Sequence, residues 1–222
     1  EIVCLLGLSG CGKSTLFNII AGLLSPDRGS VNLNGKNITG ETGNFSYMLQ
    51  KDMLLPWFTM LDNAALPLRL KGIGKGESRK RAASFFSAFG LAGFEKSYPF
   101  QCSGGMRQRL ALLRAYLFAG QVKLLDEPFS ALDAITKNQM QQWYLDVMQK
   151  INVPTVFISH DIDEALLLSD RICLLTGSPA HISCEIKIDA ERPRKKDFAL
   201  SSEFIEYKRR ILGLLASQDI HL

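Results

Sequence analysis

The chain has 222 residues, 46% of them hydrophobic, and a formal net charge of +4. That length supports one sizeable core, or a core with a small subdomain, and so mild a charge fits ordinary solubility without calling for nucleic acid. No apolar run approaches the roughly 20 residues that span a bilayer. Cys4, Cys11, Cys102, Cys173 and Cys184 are odd in number and scattered, which reads as reduced thiols in a cytosol and not as a disulfide frame.

In chain order, the apolar run Ile2 to Leu6 reads as a buried strand. Gly7-Leu8-Ser9-Gly10-Cys11-Gly12-Lys13-Ser14 follows, then Thr15, then Leu16, Ile19, Ile20 and Leu23 at helical spacing. Strand, glycine-rich turn and helix N-terminus come in the order a phosphate-binding loop needs. Glycines let the backbone N–H groups converge. The helix start adds unpaired donors and partial positive charge. Lys13 is expected to reach the β- and γ-phosphates, and the Ser14 hydroxyl to bind Mg²⁺. Cys11 inside the loop is either a small filler or a thiol whose adduct would occupy phosphate space.

Ser30 to Leu33 reads as a strand ending in a tight Asn34-Gly35 turn. Phe45 to Leu49 is a further strand closed by Gln50. The segment Lys51 to Leu70 is rich in apolar residues, and Pro56 and Pro67 are expected to forbid one continuous helix. It is either the core of a subdomain or a docking surface. A linker, Lys71 to Gly76, leads to a predicted helix over Glu77 to Phe89. Its apolar face is Ala82, Phe85, Phe86 and Phe89, and Arg79, Lys80 and Arg81 are placed on the solvated side.

Gln101 opens a segment whose helix is predicted to run to about Phe118, with Ser103 as N-cap. Val122 to Leu125 is a strand, followed by Asp126-Glu127-Pro128. A helix from Asp133 or Ala134 to about Lys150 and a strand Thr155 to Ser159 lead to His160-Asp161. A short helix Ile162 to Leu168 and a strand Arg171 to Leu175 complete an alternation that argues an α/β layered, mostly parallel sheet. His181 to Ile188 alternates as an edge strand. Arg192 to Lys196 is a basic linker, solvated or touching lipid headgroups, and Phe204 to Leu215 a closing helix.

Hydrolysing a nucleoside triphosphate needs more than the loop. Asp126, at the end of an apolar strand, suits Mg²⁺ held through water. Glu127 is placed to act on the attacking water as a base. His160 and Gln50 also end strands. His160 suits the γ-phosphate or the water, and Gln50 offers a side-chain oxygen to Mg²⁺. Lys123 interrupts the apolar strand and is expected to extend its stem to water.

With these residues in place the chain resembles the nucleotide-binding subunit of an ATP-binding cassette transporter. Gly7 to Ser14 matches the Walker A motif, Gln50 the Q-loop, and Cys102-Ser103-Gly104-Gly105-Met106 the family signature. Val122 to Glu127 matches Walker B, Ser130-Ala131-Leu132-Asp133 the D-loop, and His160 the switch histidine. Cys102 and Met106 depart from the common Leu and Gln of the signature. The runs Met53-Leu54-Leu55-Pro56-Trp57 and Asp126-Glu127-Pro128-Phe129 are similar to bacterial importers of the nitrate/sulfonate/taurine type, a group that includes importers of thiamine-precursor pyrimidines.

The resemblance implies a P-loop NTPase core over residues 1–222, a helical subdomain over 51–118 and a C-terminal extension over 177–222. It implies ATP and Mg²⁺ as cofactors. Ser14, Gln50 and Asp126 are the implied metal-side residues, with Glu127, His160 and Gln50 catalytic. Residues 7–15 would bind ATP. It implies a head-to-tail dimer in which Ser103, Gly104 and Gly105 meet the nucleotide of the opposite subunit, and it places Ser130 and Asp133 in the D-loop. Integral membrane permease subunits would dock near Gln50 and Leu54 to Leu70, a substrate-binding protein would act indirectly, and no nucleic acid would be bound. The implied location is peripheral, on the cytoplasmic face of a bacterial membrane. A complete domain of this type is expected to begin upstream of Glu1, with earlier strands and an adenine-stacking aromatic.

Two other classes fit less well. A cassette ATPase acting on DNA would carry a long coiled coil or zinc modules between Walker A and the signature, and no heptad run or cysteine cluster lies between Ser14 and Ser103. A GTPase would show Asn-Lys-x-Asp for guanine, and no such run occurs. Neither a GTPase nor a small-molecule kinase predicts Ser103-Gly104-Gly105.

Overall fold

The computed structural model describes residues 1–118, 120–130, 134–151, 153–177, 179–190, 194 and 196–216. In chain order the elements are β1 (Ile2–Gly7), α1 (Lys13–Ile20), β2 (Asn32–Leu33), β3 (Lys36–Asn37), β4 (Phe45–Met48), α2 (Met60–Leu70), α3 (Lys75–Ala83), α4 (Gly104–Leu117), β5 (Val122–Asp126), α5 (Ala134–Ile151), β6 (Thr155–Ser159), α6 (Ile162–Leu168), β7 (Arg171–Thr176), β8 (His181–Lys187) and α7 (Ser202–Ala216). The chain divides into two compact units, Glu1–Thr42 with Asn152–Leu222, and Gly43–Ile151. The pattern is the α/β, mostly parallel arrangement expected of a P-loop NTPase core. No described helix is long and apolar enough to cross a membrane, and all five cysteines are free thiols.

In the first unit β1 lies between β6 and β7, parallel to both, with Leu6 opposite Ser159 and Gly7 opposite Leu175. The apolar runs of β1 and β7 are buried almost throughout, as strands covered on both faces must be. β8 pairs antiparallel with β7, with a register shift at Leu174/Leu175, and carries exposed His181 and Ile182. This is the predicted edge strand. The predicted strand at Ser30 to Leu33 shortens to β2, which forms a hairpin with β3. Its turn residues Asn34 and Gly35 both take positive φ, 51° and 80°, as a type I′ turn requires.

α1 does not bury the face that apolar spacing predicts. Leu16, Ile19 and Ile20 are only half-buried, whereas Lys13, Phe17 and Ala21 form the buried line. Leu23 is outside the helix and exposed. The helix stops because Gly22 adopts φ 77°, and a Cβ there would sit 2.4 Å from the carbonyl oxygen of Glu41. Only glycine fits that left-handed, close-packed position.

α6 starts on Asp161, whose carboxylate accepts from the N–H groups of Asp163 (2.9 Å) and Glu164 (3.1 Å). α7 packs on α6, and Lys208 pairs with Asp163 at 2.6 Å. The basic stretch before it is not simply solvated. Arg194 is only 3% exposed. It donates to the carbonyls of Leu167 (3.1 Å) and Ala190 (3.3 Å) and lies over the Phe198 ring. Arg192 and Pro193 lie outside the described residues.

In the second unit β4 pairs parallel with β5, Phe45 opposite Val122 through Met48 opposite Leu125. Pro56 lies in the non-helical stretch before α2. Pro67, however, sits inside α2 and is buried. Packing of α2 against α3 and α4 outweighs the single backbone hydrogen bond that proline forfeits. Thr59 caps α2, accepting from the Asp62 N–H at 3.2 Å. Arg79, predicted on a solvated face, makes a two-pronged pair with Asp62, at 2.8 and 2.6 Å. That guanidinium holds the Asp62 carboxyl below its ordinary range. The helix predicted to Phe89 ends at Ala83 and continues as turns, yet Phe86 and Phe89 still enter the core. Phe89 meets Trp143 edge-on at 5.1 Å, and the Trp143 indole N–H donates to the Ala88 carbonyl.

Lys123 also departs from expectation. It is 3% exposed and does not reach water. Its Nζ donates to the carbonyls of Ala115 (3.2 Å) and Tyr116 (3.4 Å) and lies over the Tyr116 ring. Those carbonyls belong to the last turn of α4, the end of a helix that favours a cation. Burial pushes the ammonium down to about 8 from 10.5. Across that window the unfolded chain binds more protons than the folded one, so stability rises with pH from about 8 to about 10.5. Denaturant unfolding in that range should show this rise in the wild type and a flatter profile in Lys123→Met. Parallel profiles would show that burial of Lys123 does not cause it.

Candidate functional site

The phosphate loop leaves β1 at Gly7 and turns into α1 at Lys13. Gly10 and Gly12 hold φ of 84° and 94°, a region closed to most side chains. Gly12 is the N-cap of α1 and offers no side-chain cap, so the first-turn N–H groups face whatever the loop encloses. The Lys13 stem is buried in the same line as Phe17. Its Nζ donates to the carbonyls of Gly7 (2.9 Å) and Leu8 (2.7 Å) and lies 3.8 Å from Cys11 Sγ. Leu8, Ser9, Ser14 and Thr15 are exposed around it. Because Leu6 is in register with Ser159, His160 leaves β6 beside the start of the loop, and it is exposed.

The second unit carries the other predicted residues. Met48 is in register with Leu125, which brings the ends of β4 and β5 side by side. There Gln50 Nε2 donates to Glu127 Oε2 at 3.0 Å, joining two residues that are 77 apart in sequence. Glu127 takes φ 46°, unfavourable for a residue with a side chain. The Ser130 N–H and hydroxyl both donate to the Glu127 carbonyl, at 3.2 and 3.0 Å. Asp133 lies outside the described residues. Asp126, one residue earlier, is 3% exposed.

Sequence reasoning missed Tyr47. It pairs with Leu124, on the strand face that also carries Asp126. Burial first, then the neighbouring Asp126 charge, raises the Tyr47 phenol far above its ordinary value, so Tyr47 stays neutral beside that carboxylate. The signal lay in strand register, which the sequence alone does not fix.

Ser103 caps α4, accepting from the Met106 N–H at 3.3 Å. Ser103 and Gly104 are exposed and Gly105 is buried. The helix start is held to the loop after Glu127 by Gln108, whose side-chain N–H donates to the Pro128 carbonyl.

The profile of the family described as "ABC transporter" matches residues 1–130. The chain is 44% identical to the formylaminopyrimidine import ATP-binding protein ThiZ of Halalkalibacterium halodurans, over 99% of this chain and 87% of that protein. The chain belongs to the ABC transporter family. The nitrate import ATP-binding protein NrtD of Synechocystis is 36% identical, over 99% of this chain and 85% of its own length. Among solved structures, the ATP-binding cassette MJ0796, in a dimeric post-hydrolysis state bound to ADP and Pi, superposes with a TM-score of 0.73 at 30% identity, covering 86% of this chain and 87% of that one. As an ABC cassette the chain binds ATP and is an ATPase.

Proposed function

We propose that this ABC ATPase powers solute import through a separate membrane permease, with cargo of the formylaminopyrimidine or nitrate/sulfonate/taurine kind. The observation that carries the hydrolytic reading is the Gln50–Glu127 hydrogen bond at the paired ends of β4 and β5, beside buried Asp126. The importer reading draws on the likeness to ThiZ and NrtD. In this reading, residues 7–15 wrap the phosphates, with Lys13 on the β- and γ-phosphates. Glu127 accepts a proton from the attacking water, and Gln50 and His160 orient it.

The donor set suits a hard divalent ion, since Ser14 offers a hydroxyl and Asp126 a carboxylate. Gln50 offers its oxygen, because its nitrogen is engaged by Glu127. A bound Mg²⁺ would neutralise charge on the phosphates. Ser14 and Gln50 would hold it directly and Asp126 through water.

Two copies would pack head to tail, with the ATP on one chain's loop finished by Ser103, Gly104 and Gly105 of the other. The likeness to a cassette solved as a dimer supports this. A C₂ pairing yields two equivalent sites, and ATP favours closure only through contacts made to both chains. The permease would dock near Gln50 and Leu54 to Leu70, on the cytoplasmic face of the membrane. Trp57, before α2, and Leu70, at its end, are 69% and 76% exposed within that stretch. A Glu127→Gln variant that cannot discharge ATP should become dimeric with ATP and monomeric with ADP, read by light scattering after size exclusion. A variant that stays monomeric with ATP sinks the shared-site reading.

A further inference from the structure

The loop that carries Gln50 is fastened to the helix that Ser103 caps. Arg107, in the first turn of α4, donates from Nε to Asp52 Oδ2 at 3.0 Å and from Nη1 to the Cys102 carbonyl at 3.0 Å. One guanidinium thus bridges the residue two past Gln50 and the residue just before Ser103. Two turns further along α4, Arg114 donates to two successive carbonyls of the same loop, Asp52 (2.6 Å) and Met53 (2.7 Å). Met53 is held at φ 46°, a conformation that costs a non-glycine residue and persists only where neighbours impose it. The Asp52 carboxylate also accepts from the Leu54 N–H at 3.2 Å, which closes the loop on itself.

The Asp52–Arg107 pair is about one-third exposed on each side, and such pairs contribute little to stability. Their geometric effect is larger. The planar fork of an arginine fixes two acceptors relative to each other in a way that a single-point contact does not. At the far end of the loop Gln50 meets Glu127.

We propose that Arg107 and Arg114 are positioning residues for ATP hydrolysis, latching the Gln50 loop to the Ser103 helix so that both are set by one rigid piece. This rests on the roles given above to Gln50, Glu127 and Ser103. Because Gln50 would serve the nucleotide of its own chain and Ser103 that of the second copy, the latch ties the two sites of a dimer together. ATP affinity, which depends mainly on residues 7–15, is not the quantity it controls.

The test is a double-mutant cycle on the full chain with Asp52→Ala, Arg107→Ala and both together, measuring kcat and, separately, ATP binding at equilibrium. Each single change should lower kcat roughly tenfold and leave the ATP Kd within about twofold. The double variant should be no slower than the slower single, because the pair acts as a unit. Should Arg107→Ala fail to fold, Asp52→Asn, which keeps the shape and weakens the pair, carries the same comparison. Wild-type kcat in the single variants, losses that multiply in the double, or a Kd that rises in step with the fall in kcat would each overturn the latch. Glu127→Gln is run alongside: if it turns over normally, the assigned hydrolytic site has failed, whereas latch variants at wild-type rates beside an inactive Glu127→Gln refute the latch alone.

Discussion

Replacing Glu127 with Gln will lower ATP turnover by a factor of about 10² to 10⁴, the range that general-base assistance covers, while ATP binding persists. The substitution keeps the size and planarity of the side chain. It also keeps a carbonyl oxygen for the Gln50 Nε2 donor that now sits 3.0 Å from the carboxylate. What it removes is the ability to take a proton. The Glu127 main chain is held independently, by the two donors of Ser130 on its carbonyl, so its φ of 46° should survive the change. Residues 7–15, which carry the nucleotide in this reading, are not altered. Phosphate release at saturating ATP and equilibrium binding of ATP separate the two quantities. A variant retaining more than about a tenth of wild-type turnover would show that Glu127 is not the base, because the smallest general-base contribution exceeds that loss.

The phosphate loop was legible because its strand, glycine turn and helix start are consecutive, so no long-range contact is needed to recognise them. The pairing of Gln50 with Glu127 was not. It depends on the parallel register of β4 with β5, and a one-residue slip would turn every side chain to the opposite face. Two charges were misread for one shared reason. Lys123 and Arg194 look solvated in a linear chain, yet both are buried and find carbonyl oxygens on a neighbouring element. The face of α1 was misread because Lys13 counts as polar in any periodicity. Its stem in fact continues the buried line of Phe17 and Ala21 while its ammonium turns back to the loop carbonyls. Pro67 shows the converse: a local rule against helix gives way to packing on two neighbouring helices.

Lys13→Met will weaken ATP binding by roughly 10- to 150-fold, the equivalent of one charge-assisted hydrogen bond of about 1.5–3 kcal/mol. Methionine keeps an unbranched apolar stem as long as lysine's up to Cε and lacks only the terminal ammonium, so the buried line with Phe17 is filled. It cannot donate, so the carbonyls of Gly7 and Leu8 lose the bonds of 2.9 and 2.7 Å that now hold the loop, and the phosphates lose a full positive charge. Both losses act in the same direction on nucleotide, but they are separable. Slackening of the loop lowers the melting temperature without ligand. Loss of the phosphate contact lowers the gain in melting temperature that ATP brings, since a ligand at about 100 times its Kd stabilises by about 2.7 kcal/mol and one near its Kd by only a few tenths. At an ATP concentration about 100 times the wild-type Kd, the variant should therefore keep only about half to a tenth of the wild type's ATP-dependent stabilisation. AMP, which lacks the β- and γ-phosphates, should shift both proteins equally. An undiminished ATP shift in Lys13→Met would mean that the ammonium serves only the carbonyls of its own loop. The glycine-rich turn would then hold phosphate by its N–H groups alone.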